Sequence, residues 1–329
     1  MSALLKPLLT LALLLHTALS LEIHFYRTSC PQAELVVNSI VKQHFEKDPS
    51  VPAGLLRLHF HDCIIRGCDA SVLLDSHGDN IAEKEAPPNL SLRGFDIIDE
   101  IKAALERQCP GIVSCADILA LATRDGVALS GGASYDLPTG RRDGFVSSIT
   151  EAHIPDPASS IATALSAFQS INMDISDLTT LLGAHSVGFC HCLFFVDRLY
   201  DFEGTGLPDP DMDLSTLDAL RKKCPKPVST ISNISSDPKA FINQATTTPF
   251  HLDNSFYHGV LNGEAVLQLD QELAFTSLTD DLVVRYANSP RLFIHQFSKA
   301  MIKLGNVGVL TGEEGEIRMN CRRLNNKNH

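Results

Sequence analysis

The sequence lacks an excess of positive charge. It contains 27 lysine and arginine residues against 39 aspartate and glutamate residues, a formal net charge of −12. Nucleic acids and anionic membrane surfaces bind basic proteins, so we expect neither as a partner. Beyond the first twenty residues, no segment is apolar enough to span a bilayer, which argues against an integral membrane protein.

Several common sequence signatures are also missing. There is no tandem repeat, no low-complexity tract and no phosphate-binding glycine loop. Strand signals are sparse, whereas apolar residues recur at helical spacing. With 329 residues and 44% hydrophobic content, the chain is predicted to be globular and mostly α-helical, as one large domain or two halves around a shared cleft.

The first twenty residues have the pattern of a secretory signal peptide. Lys6 precedes the apolar run Leu8–Leu15, and the small residues Ala18 and Ser20 follow. This run is shorter than the roughly 18–20 residues of a transmembrane helix. We therefore predict secretion with cleavage after Ser20, which leaves 26 basic and 39 acidic side chains and a formal charge of −13.

Nine cysteines lie beyond that segment. In a secreted chain, eight would form four disulfides and one would be left over. A cytosolic location would instead favour zinc, at Cys63 and Cys68 near His59 and His61, or at Cys190-His191-Cys192. Because the compartment is predicted to be oxidising, zinc is the minor alternative.

Helical periodicity predicts most of the remaining architecture. Besides the stretch treated next, the predicted helices are Gln32–Lys47, Gly94–Arg107, Ile118–Val127, Ser159–Ser170, Ser176–Phe189 and a segment from Phe293 to Leu304 that Gly305 ends. Ser114–Asp117 is a capping-box pattern before one of them. Residues 201–249 are polar and proline-dotted, and we predict loops with short helices there.

The stretch 53–71 reads AGLLRLHFHDCIIRGCDAS. Arg57 and His61 stand four apart in an apolar run, so a helix would place them on one face, with Phe60 beside them. Burying a charge without a partner is costly, which indicates a functional reason for the pair. Directly afterwards, Asp62 and Asp69 begin an oxygen-rich loop that also holds Ser71.

A further histidine, His185, follows Leu181 and Leu182 at helical spacing, which predicts a buried helix face. A solitary histidine in such a place is more often a core residue than a ligand. The pair of Arg57 and His61 favours the functional interpretation. Two helices that each offer a histidine could enclose a flat cofactor, and haem iron is commonly held by one histidine.

Together these motifs resemble the secreted plant haem peroxidases of class III. The similarity extends over about residues 22–323 and rests on Leu56–Cys63, Gly67–Ser71, Arg93–Phe95, Val113–Asp117, Gly140–Asp143, Gly183–Ser186, Asp270–Leu273 and Asn320–Arg322. It implies the all-α plant-type peroxidase fold, with haem b between a distal half (about 21–145) and a proximal half (about 146–329). The implied activity is reduction of hydrogen peroxide with one-electron oxidation of phenolic donors.

The resemblance also implies roles for the distal residues. His61 would take a proton from peroxide and return it to the leaving oxygen. Arg57 would stabilise the charge that develops as the O–O bond breaks. Asn89 would accept the other ring N–H of the histidine, and Phe60 would pack over the haem.

On the proximal side, the resemblance makes His185 the axial iron ligand. Asp270 would accept its second N–H and make the imidazole more electron-donating. Pro155 corresponds to a substrate-channel proline near the exposed haem edge.

Two calcium sites are implied as well. Distal ligands would be Asp62, Asp69 and Ser71 by side chain and Ile65 and Gly67 by carbonyl, with Glu83 linking this site to Asn89. Proximal ligands would be Ser186, Thr248, His251 by its carbonyl, and Asp253. Here the chain departs from the family pattern, because Ala245 stands where a further aspartate is usual and Ser186 replaces threonine. We therefore predict a weaker proximal ion. Tyr135 replaces the usual tryptophan, a residue type absent from the whole chain.

The cysteine pairs implied by the resemblance are Cys30–Cys109, Cys63–Cys68, Cys115–Cys321 and Cys192–Cys224. Cys190 is left over, and we expect a free thiol, with exchange between Cys190 and Cys192 as the alternative. Asn233 lies in an Asn-x-Ser sequon in a polar stretch and is a candidate for glycosylation. Asn89 also lies in a sequon, but its expected role inside the pocket argues against a glycan there.

Two other functions compete with this interpretation. A catalytically silent, secreted calcium- or haem-binding protein on this scaffold is opposed by the intact set Arg57, His61, Asn89, His185 and Asp270. An intracellular ascorbate-type peroxidase is opposed by the signal peptide and the cysteine framework. We expect a monomer secreted to the cell wall, where it would act in lignin-type or oxidative-stress chemistry.

Overall fold

The computed structural model describes residues 20–226, 230–245 and 247–325, with the backbone alone at 231–233. The predicted signal peptide, apart from Ser20, and the side chain of Asn233 lie outside this description. The described part contains twelve α-helices. They are α1 (Ala33–Lys47), α2 (Val51–Ile65), α3 (Phe95–Gln108), α4 (Cys115–Leu129), α5 (Ile161–Ser170), α6 (Ile175–Leu182), α7 (Val196–Tyr200), α8 (Leu214–Lys223), α9 (Ser255–Leu261), α10 (Gln268–Glu272), α11 (Asp280–Asn288) and α12 (Pro290–Leu304).

Strands are few and short, as the sequence predicts. β1 (Glu22–Ile23) pairs with β2 (Pro138–Thr139), and β3 (Phe189–His191) pairs with β4 (Lys239–Phe241), both antiparallel. The prediction of a mostly α-helical fold is therefore confirmed. Among the described residues, no helix is both long enough and apolar enough to cross a membrane.

Helix α2 lies between two hydrophobic cores. Leu55 and Leu58 pack into a core built mainly from α1, α3 and α4, while Leu56 and Ile64 pack into a second core built from α5, α6, α9, α11 and α12. A helix buried on several sides has apolar residues around most of its circumference. This position holds the intervening polar side chains of α2 inside the protein.

Local capping explains where several helices begin. Ser114 Oγ accepts a hydrogen bond from the Asp117 N–H at 3.1 Å, so Ser114 caps α4 as predicted, although the helix begins at Cys115 rather than Ile118. The other half of the predicted capping box is not formed, because the Asp117 carboxylate accepts from Tyr26 and Arg141 instead. Asp174 forms a reciprocal capping box with Asp177 at the start of α6. Such caps satisfy backbone N–H groups that have no partner inside the helix.

The predicted helix Ser176–Phe189 is wrong in its second half. α6 ends at Leu182, a 3₁₀ turn covers Gly183–Ser186, and the chain then enters β3. A side chain at Gly183 would come within 2.5 Å of the Tyr257 hydroxyl, which donates to the Thr179 carbonyl near the helix end at 2.9 Å. Gly188 has φ +100°, a left-handed conformation that ends helical continuation. His185 therefore lies on a 3₁₀ turn and not on an α-helix.

The four disulfides implied by the resemblance are formed, and Cys190 is the free cysteine, buried. His59 lies beside Cys63 and Cys68, an arrangement that suits zinc when the cysteines are thiolates. Because Cys63 and Cys68 are bonded to each other, neither sulfur offers a thiolate. The zinc alternative at this loop is therefore not supported.

The stretch 305–323 packs back onto the N-terminal core. Arg141, fully buried, donates to Asp117 Oδ1 at 2.7 Å and to the Gly305 carbonyl at 2.7 and 2.8 Å, joining α4 to the end of α12. Arg318 donates to the carbonyls of Asp69 and Ala70 at 3.1 and 2.9 Å. These contacts hold the loop after α2 in place from the far end of the chain.

Candidate active site

A cavity of about 440 Å³ lies between α2 and the segment that runs from α6 into β3. Arg57, Phe60 and His61 line it from one side, and His185 lines it with Leu181 and Leu182 from the other. The two sequence constellations thus meet across one space. Ile154 and Pro155, from the connection before α5, also line this cavity.

His61 is fixed by a chain of hydrogen bonds. Asn89 Nδ2 donates to the Glu83 carbonyl at 2.7 Å, which orients the amide so that its Oδ1 faces His61 Nδ1 at 2.6 Å. Because an amide oxygen can only accept, the proton lies on Nδ1 of His61 and Nε2 is left with a free lone pair. Burial, and then the charge of Arg57, hold the pKa of His61 well below its usual value, so the ring is neutral.

Arg57 is a half-buried cation that lines the cavity, and its hydrogen-bond partners are neutral. Its guanidinium donates to the Pro88 carbonyl at 2.8 Å and to Ser91 Oγ at 3.1 Å. Burial lowers the pKa of Arg57 to about 10, which still leaves it charged at neutral pH. Among the described residues it forms no ion pair, so its charge is available to an anion in the cavity.

On the opposite wall, His185 is oriented by an acid. Its Nδ1 lies 2.9 Å from both carboxylate oxygens of Asp270, which is buried on α10. A carboxylate in this position binds the Nδ1–H, so Nε2 is the ring nitrogen left for a metal. Phe256 packs edge-on against the imidazole at a centroid distance of 6.2 Å.

The loop after α2 gathers buried oxygen atoms. Asp62 accepts backbone hydrogen bonds from Ala70 and Val72, and Asp69 accepts one from Ser71. Both oxygens of Glu83 and the Ser71 hydroxyl are buried without a hydrogen-bond partner among the described residues. Burial, with the charge of Asp69, raises the pKa of Glu83 to about 8, and burial likewise raises the pKa of Asp62. Partnerless buried oxygens beside acids suit a hard cation such as Ca²⁺.

The second predicted calcium site is more loosely assembled. The Asp253 N–H lies 3.4 Å from Ser186 Oγ, and the His251 N–H donates to the Thr248 carbonyl at 2.9 Å. Asp253 Oδ1 accepts the Ser255 N–H at 2.9 Å. Among the predicted ligands Asp253 supplies the single carboxylate, because Ala245 offers none. The arrangement has less charge for a cation than the loop after α2.

Some cavity residues were not predicted from the sequence. Ser91 and the Pro88 carbonyl hold Arg57, and their only signal was their closeness to Asn89 along the chain. Phe189, His191 and Lys239 also line the cavity. Lys239 lies in the stretch predicted as loops, and the pairing of β4 with β3 brings it to the cavity.

Comparison with known proteins gives a consistent result. A family model described as peroxidase matches residues 37–289. Peroxidase 28 and Peroxidase 57 of Arabidopsis thaliana are each 48% identical to the chain, over 93% of it and 93% of the relative. Peroxidase 25 of the same plant is 45% identical over 92% of the chain and 90% of the relative.

Proposed function

This chain belongs to the plant secretory peroxidase family, and from that premise we propose how its own residues carry out the reaction. It is a haem enzyme that reduces hydrogen peroxide and oxidises a donor. The residues of the cavity fit that cofactor. The half-buried imidazole of His185, with a free Nε2, shares about 440 Å³ of mostly apolar space with a second histidine and with Arg57, a cation that has no ion pair among the described residues.

The chemistry that haem supplies when bound is two-electron reduction of peroxide at its iron, followed by one-electron recovery from two donor molecules. His185 would hold the iron through Nε2. Asp270, by binding the Nδ1–H, fixes the ring orientation and increases its electron donation to the metal.

On the other face, His61 moves the proton. Its neutral Nε2 takes a proton from the bound peroxide and returns it to the departing oxygen, which leaves as water. Asn89 keeps Nδ1 protonated and supports the imidazolium while it exists. Arg57 donates hydrogen bonds to the oxygen on which negative charge develops, and because Pro88 and Ser91 already hold its guanidinium in place it needs little reorganisation. Phe60 lines the cavity, with its ring 5.9 Å from that of Phe168 between centroids, and would pack over the haem.

We propose that the loop after α2 binds calcium. The side chains of Asp62, Asp69 and Ser71 and the backbone carbonyls of Ile65 and Gly67 would be its ligands. Glu83 would link this site to Asn89. The ion would compensate buried acids that have no cation among their hydrogen-bond partners. Since Asp62 adjoins His61 on α2, this compensation would steady the catalytic helix. The proximal ion, held by Ser186, Thr248, His251 and Asp253 without a carboxylate at Ala245, is proposed to bind more weakly.

The donors are proposed to be phenols that reach the haem edge past Pro155, which lines the cavity. The enzyme is further proposed to act as a monomer in the cell wall, with the halves divided near residue 145. The catalytically silent alternative is not favoured by any feature of the site, since every residue that the reaction needs is present.

The observation that carries the mechanism is the pair of opposed histidines, each fixed through Nδ1. The test is the His61→Leu variant of the purified haem-loaded enzyme. Its second-order rate constant with peroxide is expected to fall by about 10²–10⁴-fold, while the ferric haem band persists through His185. His59→Leu is the matched control, because His59 is also buried on α2 but does not line the cavity. Rapid peroxide turnover in the His61 variant would refute the assignment.

A further inference from the structure

The β3–β4 ribbon has two unlike faces. Its register places Phe189 opposite Phe241, His191 opposite Lys239, and Cys190 opposite Ala240. Side chains alternate along a strand, so the first two pairs share one face and the third pair lies on the other. Cys190 and Ala240 are buried, while Phe189, Phe241 and Lys239 are exposed and His191 is half-buried. We call the face with Phe189, His191, Lys239 and Phe241 the ribbon face.

One end of the ribbon face is an aromatic platform. The rings of Phe189 and Phe241 are stacked at a centroid distance of 4.8 Å, and Phe250 packs edge-on against them at 5.8 and 5.7 Å. Phe189 is 44% exposed and Phe241 is 39% exposed. Such grouped exposed aromatic surface is unfavourable in water and marks binding sites, and planar rings stack on it well.

The other end of the ribbon face is cationic. Lys239 is exposed, and among the described residues no acid forms an ion pair with it. Asp237 lies near His191 and Lys239, with a carboxylate oxygen 3.9 Å from His191 Nδ1. It is buried and accepts a hydrogen bond from the Leu193 N–H at 2.9 Å. Phe189, His191 and Lys239 of the ribbon face line the cavity together with Arg57 and Arg93, and no acidic residue lines it. Arg93 is paired with Asp48 at 3.3 Å, so Arg57 and Lys239 are the lining cations without an ion pair among the described residues. Arg57 and Lys239 thus make the cavity lining attractive to anions in a protein of net charge −12.

We propose that the ribbon face binds aromatic donors that carry a carboxylate, with the ring on the phenylalanines and the carboxylate near Lys239. Residues two apart on a strand are separated by about 6.6 Å, so one molecule of hydroxycinnamate size can reach from the phenylalanine rings to Lys239. This inference rests on the proposed oxidation of phenols and adds no chemical step to it: the donor loses one electron and its phenolic proton. What it adds is a preference for anionic over neutral phenols, set by this chain's own residues.

The test is the affinity of the haem-loaded enzyme for 4-hydroxycinnamate and for its methyl ester, measured by titration calorimetry without peroxide. In Lys239→Gln the Kd of the carboxylate should rise about fivefold, and the Kd of the ester should change less than twofold. Added salt should weaken carboxylate binding in the wild type and have little effect in this variant. Lys42→Gln, at an exposed lysine of α1 away from the cavity, is the matched control.

The platform is tested with Phe241→Ser against Phe275→Ser, an exposed phenylalanine outside the cavity lining. The first variant should weaken both aromatic ligands about fivefold and leave the turnover of iodide, a donor without a ring, unchanged. Equal effects of Lys239→Gln on acid and ester, or faster haem loss from that variant, would overturn the inference and assign the lysine to the cofactor. A wild-type enzyme that oxidises neither donor with peroxide would instead refute the proposed function.

Discussion

Replacing Asn89 by valine removes the acceptor from His61 while keeping a side chain of similar size. In the enzyme at rest, the hydrogen bond of 2.6 Å joins two neutral groups. During peroxide cleavage His61 carries a positive charge, and the same bond then joins a cation to the amide oxygen. Hydrogen bonds of neutral groups contribute about 0.5–1.5 kcal/mol and those of charged groups about 1.5–3 kcal/mol.

The difference, about 1–1.5 kcal/mol, is lost from the transition state alone. It corresponds to an about 5- to 13-fold lower second-order rate constant with peroxide. The assay is stopped-flow absorption of the ferric haem band at a series of peroxide concentrations. Haem content should match the wild type, because His185 and Asp270 are on the opposite wall of the cavity.

Two further variants sharpen this measurement. Asn89→Asp retains an acceptor for the ring N–H but loses the donor to the Glu83 carbonyl, so it is expected to recover part of the rate. Asn80→Val removes an asparagine that donates to the Ser147 carbonyl in a neighbouring loop, and should leave the rate unchanged. If Asn89→Val reacts with peroxide as fast as the wild type and with full haem content, the hydrogen bond does not assist proton transfer and the reasoning is wrong.

Three other predictions follow from the structure. Chelation of calcium should lower the Tm and slow the peroxide reaction, because the buried acids would lose their counter-ion. Metal analysis after desalting should find about one tightly held calcium ion per chain, and two tightly held ions would contradict the weak proximal site. Burial raises the pKa of the Cys190 thiol to about 12, so a thiol reagent at pH 8 should not react with the native protein. After unfolding without reductant the same reagent should detect one thiol per chain, and detecting none would show that Cys190 is oxidised. Asp117→Asn leaves Arg141 buried without its carboxylate and should lower the free energy of unfolding by about 3–5 kcal/mol, or the Tm by about 5–8 °C. The control Asp48→Asn, in an exposed ion pair, should lower the free energy of unfolding by under ~1 kcal/mol. Equal small losses in the two variants would show that the buried pair does not stabilise the fold.

Sequence periodicity and capping residues predicted the features that depend on neighbouring residues in the chain. Arg57 and His61 share one face because four residues make about one helical turn, and α4 begins where Ser114 can cap it. The same periodicity failed after Leu182, because apolar spacing continued while Gly183 and Gly188 ended the helix for reasons of packing and backbone conformation. The role expected of His185 survives this error, since its place in the cavity depends on Asp270 and not on helical form.

Other parts of the site depend on contacts that no local pattern reports. Asp270 lies 85 residues beyond His185, and only the motif resemblance joined them before the structure. Lys239 reaches the cavity through a three-residue strand in a stretch without periodicity. Such positions follow from the packing of distant segments, which outweighs short-range preference.

The return of residues 305–323 to the N-terminal core has a consequence for biosynthesis. Arg318 bonds the carbonyls of Ala70 and Asp69, 248 and 249 residues earlier, and Cys321 pairs with Cys115 across 206 residues. A ribosome therefore releases the catalytic helix and its acidic loop long before their partners exist. The hydrogen bonds of Arg318 and the disulfide of Cys321 can form only when almost the whole chain has been translated. A premature stop codon shortly before Arg318 would remove these contacts from the segment that was synthesised first.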